Sequence, residues 1–237
     1  MLQSKKWCVG IKGEKDMWAK RIFDVVVATT SLIVLGPLFV IVAVLIRLDS
    51  PGPIFYAGDR IGKDGTPFKI LKFRTMVVDA DQIGAALTQG GDPRITRIGG
   101  LLRKSKLDEL PQLWNVLRGE MSLVGPRPES PKYVKHYTAE QRQVLSVQPG
   151  ITGLTQVWYR HEETLLSHCD DLEAEYIGRI MPEKLALDLE YIQSRSFLQD
   201  IRLILQTFLC LFEADRYSGV TTVDRPILPS QVPTRRV

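Results

Sequence analysis

The chain has 237 residues, with 31 Lys and Arg against 27 Asp and Glu and a formal net charge of +4. That length suits one main domain with a buried core and excludes two large ones, and the small basic excess excludes a dedicated nucleic-acid binder. Three cysteines (Cys8, Cys169, Cys210) without CxxC spacing exclude a disulfide framework or a zinc ribbon and fit a reducing compartment.

In chain order, the first strong signal is VVVATTSLIVLGPLFVIVAVLI, Val25 to Ile46, which carries no charge. As one continuous helix it would reach about 33 Å, enough to cross a bilayer. It is too long and too late for a cleaved signal peptide, and no small-residue cleavage site follows it. Both flanks are basic, Lys5, Lys6, Lys12, Lys15, Lys20 and Arg21 before it and Arg47, Arg60, Lys63, Lys69, Lys72 and Arg74 after, so both ends ask for the cytoplasm. Gly36 and Pro37 lie mid-run, where proline removes a backbone donor and bends the helix. The residues leave two readings open: a bent helix that dips into one leaflet and returns, or a kinked single span.

From Pro53, PIFYAGDRIG, KDGT and PFKILKFRTM predict a β-hairpin. Phe68, Ile70, Lys72 and Arg74 share one face of its second strand, which sets Lys72 and Arg74 to serve an anion, or else marks a solvated edge strand. Asp79 to Gly100 predicts a helix fragment and then an exposed loop ending at DPRITRIGG. A basic helix around Leu101 to Lys104, a helix on DELPQLWNVLRG and a helix from Ala139 to Val147 capped by Thr138 follow. SFLQDIRLILQTFLCLF, Ser196 to Phe212, is apolar around most of its circumference but broken by Asp200, Arg202 and Gln206. That predicts a helix lying in a membrane interface or packed on the domain. The tail beyond Gly219 reads as an extended end.

The chemistry centres on Asp108 and Glu109, adjacent acids ahead of an apolar helix. With Asp108 near the N-cap and Pro111 in the first turn, both carboxylates sit at the positive end of a helix dipole. Neighbouring helical residues diverge by ~100°, so one carboxylate is free to attack while the other holds a metal. Attack on a phosphoryl group needs cations to offset the repulsion, and Arg94, Arg97, Arg103, Lys104, Lys106, Arg118 and Arg127 flank the pair. The bland reading, a helix cap beside a solvated acid, stays open on spacing alone. RHEETLLSHCDD, with His161, His168, Cys169, Asp170 and Asp171, lacks familiar zinc spacing and reads as a surface helix. No Walker loop, GxGxxG or GxSxG is present.

The run DPRITRIGGLLRKSKLDELPQLWNVLRGEMSLVGPRPE, Asp92 to Glu129, closely resembles the bacterial sugar transferase family, the monotopic phosphoglycosyl transferases that start lipid-linked glycan synthesis. AKRIFDVVVA, GPLF, PGPIFY, PFKILKFRTM, VQPGITGLTQV and DLEYIQSRSFLQDIRLILQT are similar to its other landmarks, in the same order, from about Lys20 to Phe212. The resemblance implies an α+β fold, a mostly helical membrane-associated domain with a re-entrant N-terminal helix, a small β-hairpin and amphipathic interfacial helices. It divides the chain into an extension (residues 1–19), the re-entrant helix (20–50), a catalytic domain (51–213) and a tail (214–237).

The activity implied is transfer of a sugar-1-phosphate from a UDP-sugar to undecaprenyl phosphate or another polyprenyl phosphate, with release of UMP. It would be the first membrane step of exopolysaccharide or glycoconjugate synthesis, on the cytoplasmic face of a bacterial inner membrane, with the lipid bilayer as partner and a homodimer left open. Carried over by motif, Asp108 is the nucleophile, Glu109 helps bind Mg²⁺, and Pro126, Arg127 and Pro128 of GPRP contact uridine. Lys72 and Arg103 match basic positions, Arg160 an arginine after the PGITG loop, and Gly36 and Pro37 the break of the re-entrant helix. WYRHEE after GLTQV departs from the small polar pair of many members, and Gly36 stands where some have serine. The chain lacks the multispanning N-terminal region of longer relatives and reads as a minimal catalytic unit. Two alternatives remain: direct transfer in a ternary complex with Asp108 as base, and a non-catalytic membrane-anchored interaction module. The sugar is not legible.

Overall fold

The structure is a computed structural model that describes residues 14–83, 91–159 and 171–212. Arg160, most of RHEETLLSHCDD, residues 1–13 and the tail beyond Phe212 lie outside the described residues.

The apolar run folds as two helices, α1 (Glu14–Val34) and α2 (Gly36–Asp49), bent by 60° at Leu35. Pro37 falls in the first turn of α2, where a missing N–H leaves no gap in the ladder. Leu35 still donates to the Ser31 carbonyl (2.8 Å), and the ladder resumes with the Phe39 N–H on Leu35 (3.0 Å). A Cβ at Gly36 would meet nothing within 4 Å, so the bend does not require glycine. Among the described residues no single helix is long and apolar enough to cross a membrane; the bent pair together is. Both arms leave large apolar side chains exposed, Ile22, Val26 and Ile33 on α1 and Val40, Ile41 and Val44 on α2.

Both ends of this pair are tied to the same body. On α1, Lys20 pairs with Asp200 and Arg21 donates to the carbonyls of Val116 (2.7 Å) and Leu117 (3.0 Å), orphan acceptors at a helix C-terminus. Asp24, 1% exposed, accepts from the Ser122 hydroxyl (2.8 Å). Beyond α2, Arg74 donates to the carbonyls of Pro51 (2.5 Å) and Ser50 (2.8 Å), and Asp49 accepts from the Ile98 N–H (3.0 Å).

The hairpin forms as expected, β1 (Phe55–Ile61) antiparallel to β2 (Pro67–Phe73) around the Lys63–Gly65 turn. After α3 (Ala80–Ile83), α4 spans Arg97–Ser105 and so begins inside the expected loop. The Thr96 hydroxyl caps it by accepting from the Gly99 N–H (3.0 Å), and Gly99 packs so closely that a Cβ would lie 2.0 Å from the Thr75 carbonyl oxygen. Nor is the end of that loop exposed: Arg94 is buried, held by Asp92 and the Ala80 carbonyl.

α5 (Gln112–Arg118) leads to β3 (Ser122–Val124), then come α6 (Pro131–Val134) and β4 (Gly150–Thr152), parallel to β3. The two strands approach so closely that a Cβ on Gly150 would lie 2.1 Å from the Gly125 nitrogen, which explains glycine at both positions. The helix expected over Ala139–Val147 is instead a 3₁₀ turn, Gln141–Ser146. Thr138 and Gln141 do cap each other reciprocally, but Pro149 stops the chain before a regular helix can form. α7 (Leu154–Trp158), α8 (Leu172–Glu175) running through a π turn (Tyr176–Ile180) into α9 (Met181–Ser194), and α10 (Phe197–Phe212) complete the fold.

The main core gathers Val116, Met121, Val124, Ile180, Met181 and Tyr191; a second joins α2 (Val42, Ile46) to β2 (Phe73) and α4 (Leu102). α10 packs on the domain, the second of the two expectations for it, burying Asp200 and Leu203, and it leaves Phe197, Leu198, Leu205, Phe208 and Leu209 exposed.

Candidate active site

Asp108 does not begin an α-helix. It is the middle residue of a 3₁₀ turn, Leu107–Glu109, wedged between α4 and α5. Lys106 is left-handed (φ 57°) and ends α4. The Leu107 carbonyl then accepts from the Leu110 N–H (3.2 Å), because Pro111, four residues on, has no N–H to give. The proline thus acts at the entry to α5, and the acids occupy a tight turn instead of a helical first turn.

That turn packs on β2 and brings the hairpin's cation to the acids. Lys72 Nζ donates to Glu109 Oε1 (2.8 Å), and Arg127 Nη2 reaches the same oxygen (3.3 Å). Lys72 and Glu109 side chains are 20% and 13% exposed, so their charges act through little water. Burial alone would raise the Glu109 carboxyl; the charges of Lys72 and Arg127 and the Lys72 hydrogen bond outweigh it and hold Glu109 well below the usual carboxylate range. Asp108 goes the other way. Burial raises its carboxyl, Lys72 opposes, and the neighbouring Glu109 charge adds to the rise. Adjacent carboxylates driven apart in this way suit different tasks. Asp108 Oδ1 is buried with no hydrogen-bond partner among the described residues. A buried acceptor left unmatched is expected where a ligand completes it.

Of the flanking cations, Arg103 and Lys106 act on Asp108 electrostatically, and Arg103 is oriented by its Nε donating to Thr75 Oγ1 (3.0 Å). Arg74, although on the same strand face as Lys72, donates to Ser50 and Pro51 and holds the end of the bent helix pair. Arg118 faces Glu120 (3.6 Å). Pro126 and Pro128 are buried and Arg127 between them is exposed. The Pro126 carbonyl accepts from the Gly150 N–H (2.8 Å), which locks this loop to the PGITG segment.

Sequence reasoning missed Asp188. It is 4% exposed on α9, accepts from the Thr155 hydroxyl (2.8 Å), and bonds the backbone N–H of Arg127. Lys184, Leu185, Asp188, Tyr191 and Ile192 form one buried helical stripe. The available signal was an acid on the core-facing stripe of an amphipathic helix. Burial pushes Asp188 up to about 7, against the Thr155 hydrogen bond and the Lys184 charge. The fold therefore binds its proton more tightly than the unfolded chain, whose carboxyl has the ordinary 3.8. This contribution is complete below about 3.8 and is lost as pH rises through about 7. Asp188→Asn, which keeps one acceptor oxygen and removes the ionisable group, should flatten the fall in melting temperature across that window.

The bacterial sugar transferase family model matches residues 15–214. Over 199 residues the chain is 40% identical to the UDP-glucose:undecaprenyl-phosphate glucose-1-phosphate transferase of Caulobacter vibrioides, covering 83% of this chain and 70% of that protein. The Escherichia coli protein of the same name is 39% identical, covering 82% of this chain but 39% of its own length. A UDP-N-acetylgalactosamine-undecaprenyl-phosphate N-acetylgalactosaminephosphotransferase of Aeromonas hydrophila is 37% identical, covering 79% and 42%.

Proposed function

The chain belongs to the bacterial sugar transferase family, and from that premise we propose that it transfers a sugar-1-phosphate from a UDP-sugar to undecaprenyl phosphate, releasing UMP. The observation that carries the reading is the pair itself: a buried Asp108 with one unpartnered oxygen beside a Glu109 held ionised by Lys72 and Arg127.

The transfer runs in two displacements. An Asp108 oxygen bonds to the sugar-bearing phosphorus, the anhydride bond breaks, and its electron pair leaves on UMP. A phosphate oxygen of the acceptor lipid then bonds to the same phosphorus; the acyl-phosphate bond breaks and returns the electron pair to Asp108. The raised proton affinity of Asp108 makes its ionised form the stronger nucleophile. Lys72, Arg103 and Arg127 supply positive charge for the diphosphate, and Arg127 stands exposed between two buried prolines to meet the nucleotide. Arg74 has a positioning role, fixing the loop after α2.

Mg²⁺ fits this donor set. It takes one or two carboxylates and completes its shell with substrate phosphates and water. Glu109 Oε1 is used by Lys72 and Arg127, which leaves Oε2 to help hold the ion, while the unmatched Asp108 Oδ1 stays with the attacking carboxylate. When bound, the ion would screen the diphosphate charge.

The bent helix pair is the membrane anchor, re-entrant from the cytoplasmic face of the bacterial inner membrane. Its second arm, 14 residues, rises only about 21 Å, short of a hydrocarbon core of about 30 Å. Both of its ends are fastened to one domain, which supports both ends lying on one side.

The relatives bear glucose and N-acetylgalactosamine in their names at nearly the same identity, 40% and 37%, so overall likeness does not choose the sugar. A panel of UDP-sugars with undecaprenyl phosphate and Mg²⁺ should give UMP release with one sugar preferred. No UMP from any of them would leave a membrane-anchored interaction module.

A further inference from the structure

A cavity of about 100 Å³ opens beside the base of α1 and shares no residue with the Lys72, Asp108, Glu109 and Arg127 cluster. That is well above the ~10–15 Å³ needed for one water. Four cations line it, Lys20 and Arg21 from α1, Lys63 from the hairpin turn and Arg195 from the end of α9, against one carboxylate, Asp24; of the four, Lys20 also pairs with Asp200 and Arg21 also donates to the Val116 and Leu117 carbonyls. The carboxylate is already spent: its oxygens accept from the Ser122 hydroxyl (2.8 Å) and the Leu123 N–H (3.3 Å). Gln148 and Ser146 add neutral polar groups to the wall. Cations converging on a partly enclosed space from three separate elements raise the local potential and concentrate anions there.

The surroundings identify the anion's carrier. Met17, on the cavity wall, and the adjacent Trp18 are 49% and 65% exposed. Two and three residues beyond Arg195, Phe197 and Leu198 are 52% and 78% exposed. Phe23 and Phe197 join the two elements edge to face, centroids 5.2 Å apart. The cations therefore stand at the foot of the apolar surface that the proposed anchor and α10 present, the depth at which lipid phosphates lie.

We propose that this cavity is a phosphate site for the headgroup of an anionic phospholipid, distinct from the donor and acceptor sites at Asp108. The lipid assignment rests on the membrane reading given above; the phosphate chemistry rests on the cavity alone. A bound headgroup would pin the base of α1 against β3, which leads directly into the Gly125–Pro128 loop.

The test uses the full chain and two double variants with equal loss of charge. Lys63→Gln/Arg195→Gln alters the cavity; Lys69→Gln/Lys132→Gln alters lysines that are 60% and 51% exposed and outside it. Flotation is measured with phosphatidylcholine vesicles and with vesicles in which one third is phosphatidylglycerol, and melting temperature with inorganic phosphate. The wild type and the exterior variant should prefer the anionic vesicles by about tenfold, and the cavity variant should lose most of that preference. Equal loss in both variants, or loss in neither, overturns the site. A phosphate-induced rise in melting temperature that needs Lys63 and Arg195, without preference for the anionic vesicles, overturns the lipid and keeps the phosphate. Failure to float on either vesicle rejects the membrane reading instead.

Discussion

Asp108→Asn should lower UMP release by at least on the order of 10³-fold without weakening the fold. The two halves of that result have separate causes. An amide oxygen is a poor nucleophile for phosphorus, so the first displacement fails. The native carboxyl is buried, its Oδ1 has no hydrogen bond to lose, and burial opposes its charge. A neutral side chain of the same shape removes that penalty, so the melting temperature at neutral pH should hold or rise. Incubating the wild type with a UDP-sugar labelled in the sugar should leave label on the peptide containing Asp108, and the Asn variant should leave none. If the active wild type never carries label, direct transfer with Asp108 as base replaces the covalent scheme; if the variant turns over at the wild-type rate, Asp108 is not part of the chemistry.

The elements legible in the sequence were those with local causes. The hairpin was written in two β-rich runs around KDGT, and the bend at Leu35 in GP within an uncharged run. The acidic pair was legible as a site, yet its local structure was not, because helix-start reasoning placed Pro111 in a first turn. Which carbonyl lacks its donor depends on where Lys106 turns left-handed, and nothing in the string DELPQL states that. α4 was expected too late for a similar reason: Gly99–Gly100 reads as a breaker, and the close approach of Thr75 that demands glycine there is a tertiary fact.

Arg74 and Lys72 illustrate the same limit within one strand. They share a face by alternation, but one meets Glu109 and the other meets the carbonyls after α2. Alternation fixes the face and leaves the partner open, since the partner comes from a segment distant in sequence. Asp188 was the reverse case: its position on a buried stripe was readable, and its meaning was not until the Arg127 backbone was found against it.

The second large effect is expected from Lys72→Met. Lys72 Nζ holds Glu109 Oε1 at 2.8 Å in surroundings where both side chains are mostly shielded. Removing it leaves Glu109 buried beside Asp108 with Arg127 as its remaining hydrogen-bonding cation, and deleting one partner of a buried pair typically costs about 3–5 kcal/mol. The pH dependence has a definite sign. In the wild type the Glu109 carboxyl is held well below its ordinary 4.5, so it contributes stability that is present above 4.5 and lost only as pH falls well below it. Without Lys72 that carboxyl rises, and both the acid limb of UMP release and the acid unfolding midpoint should move to higher pH. Lys72→Met/Glu109→Gln separates charge from packing, because neutralising the orphaned acid should restore part of the lost melting temperature without restoring the rate of UMP release. A double variant no more stable than Lys72→Met would mean that the lysine stem, and not its charge on Glu109, supports this turn.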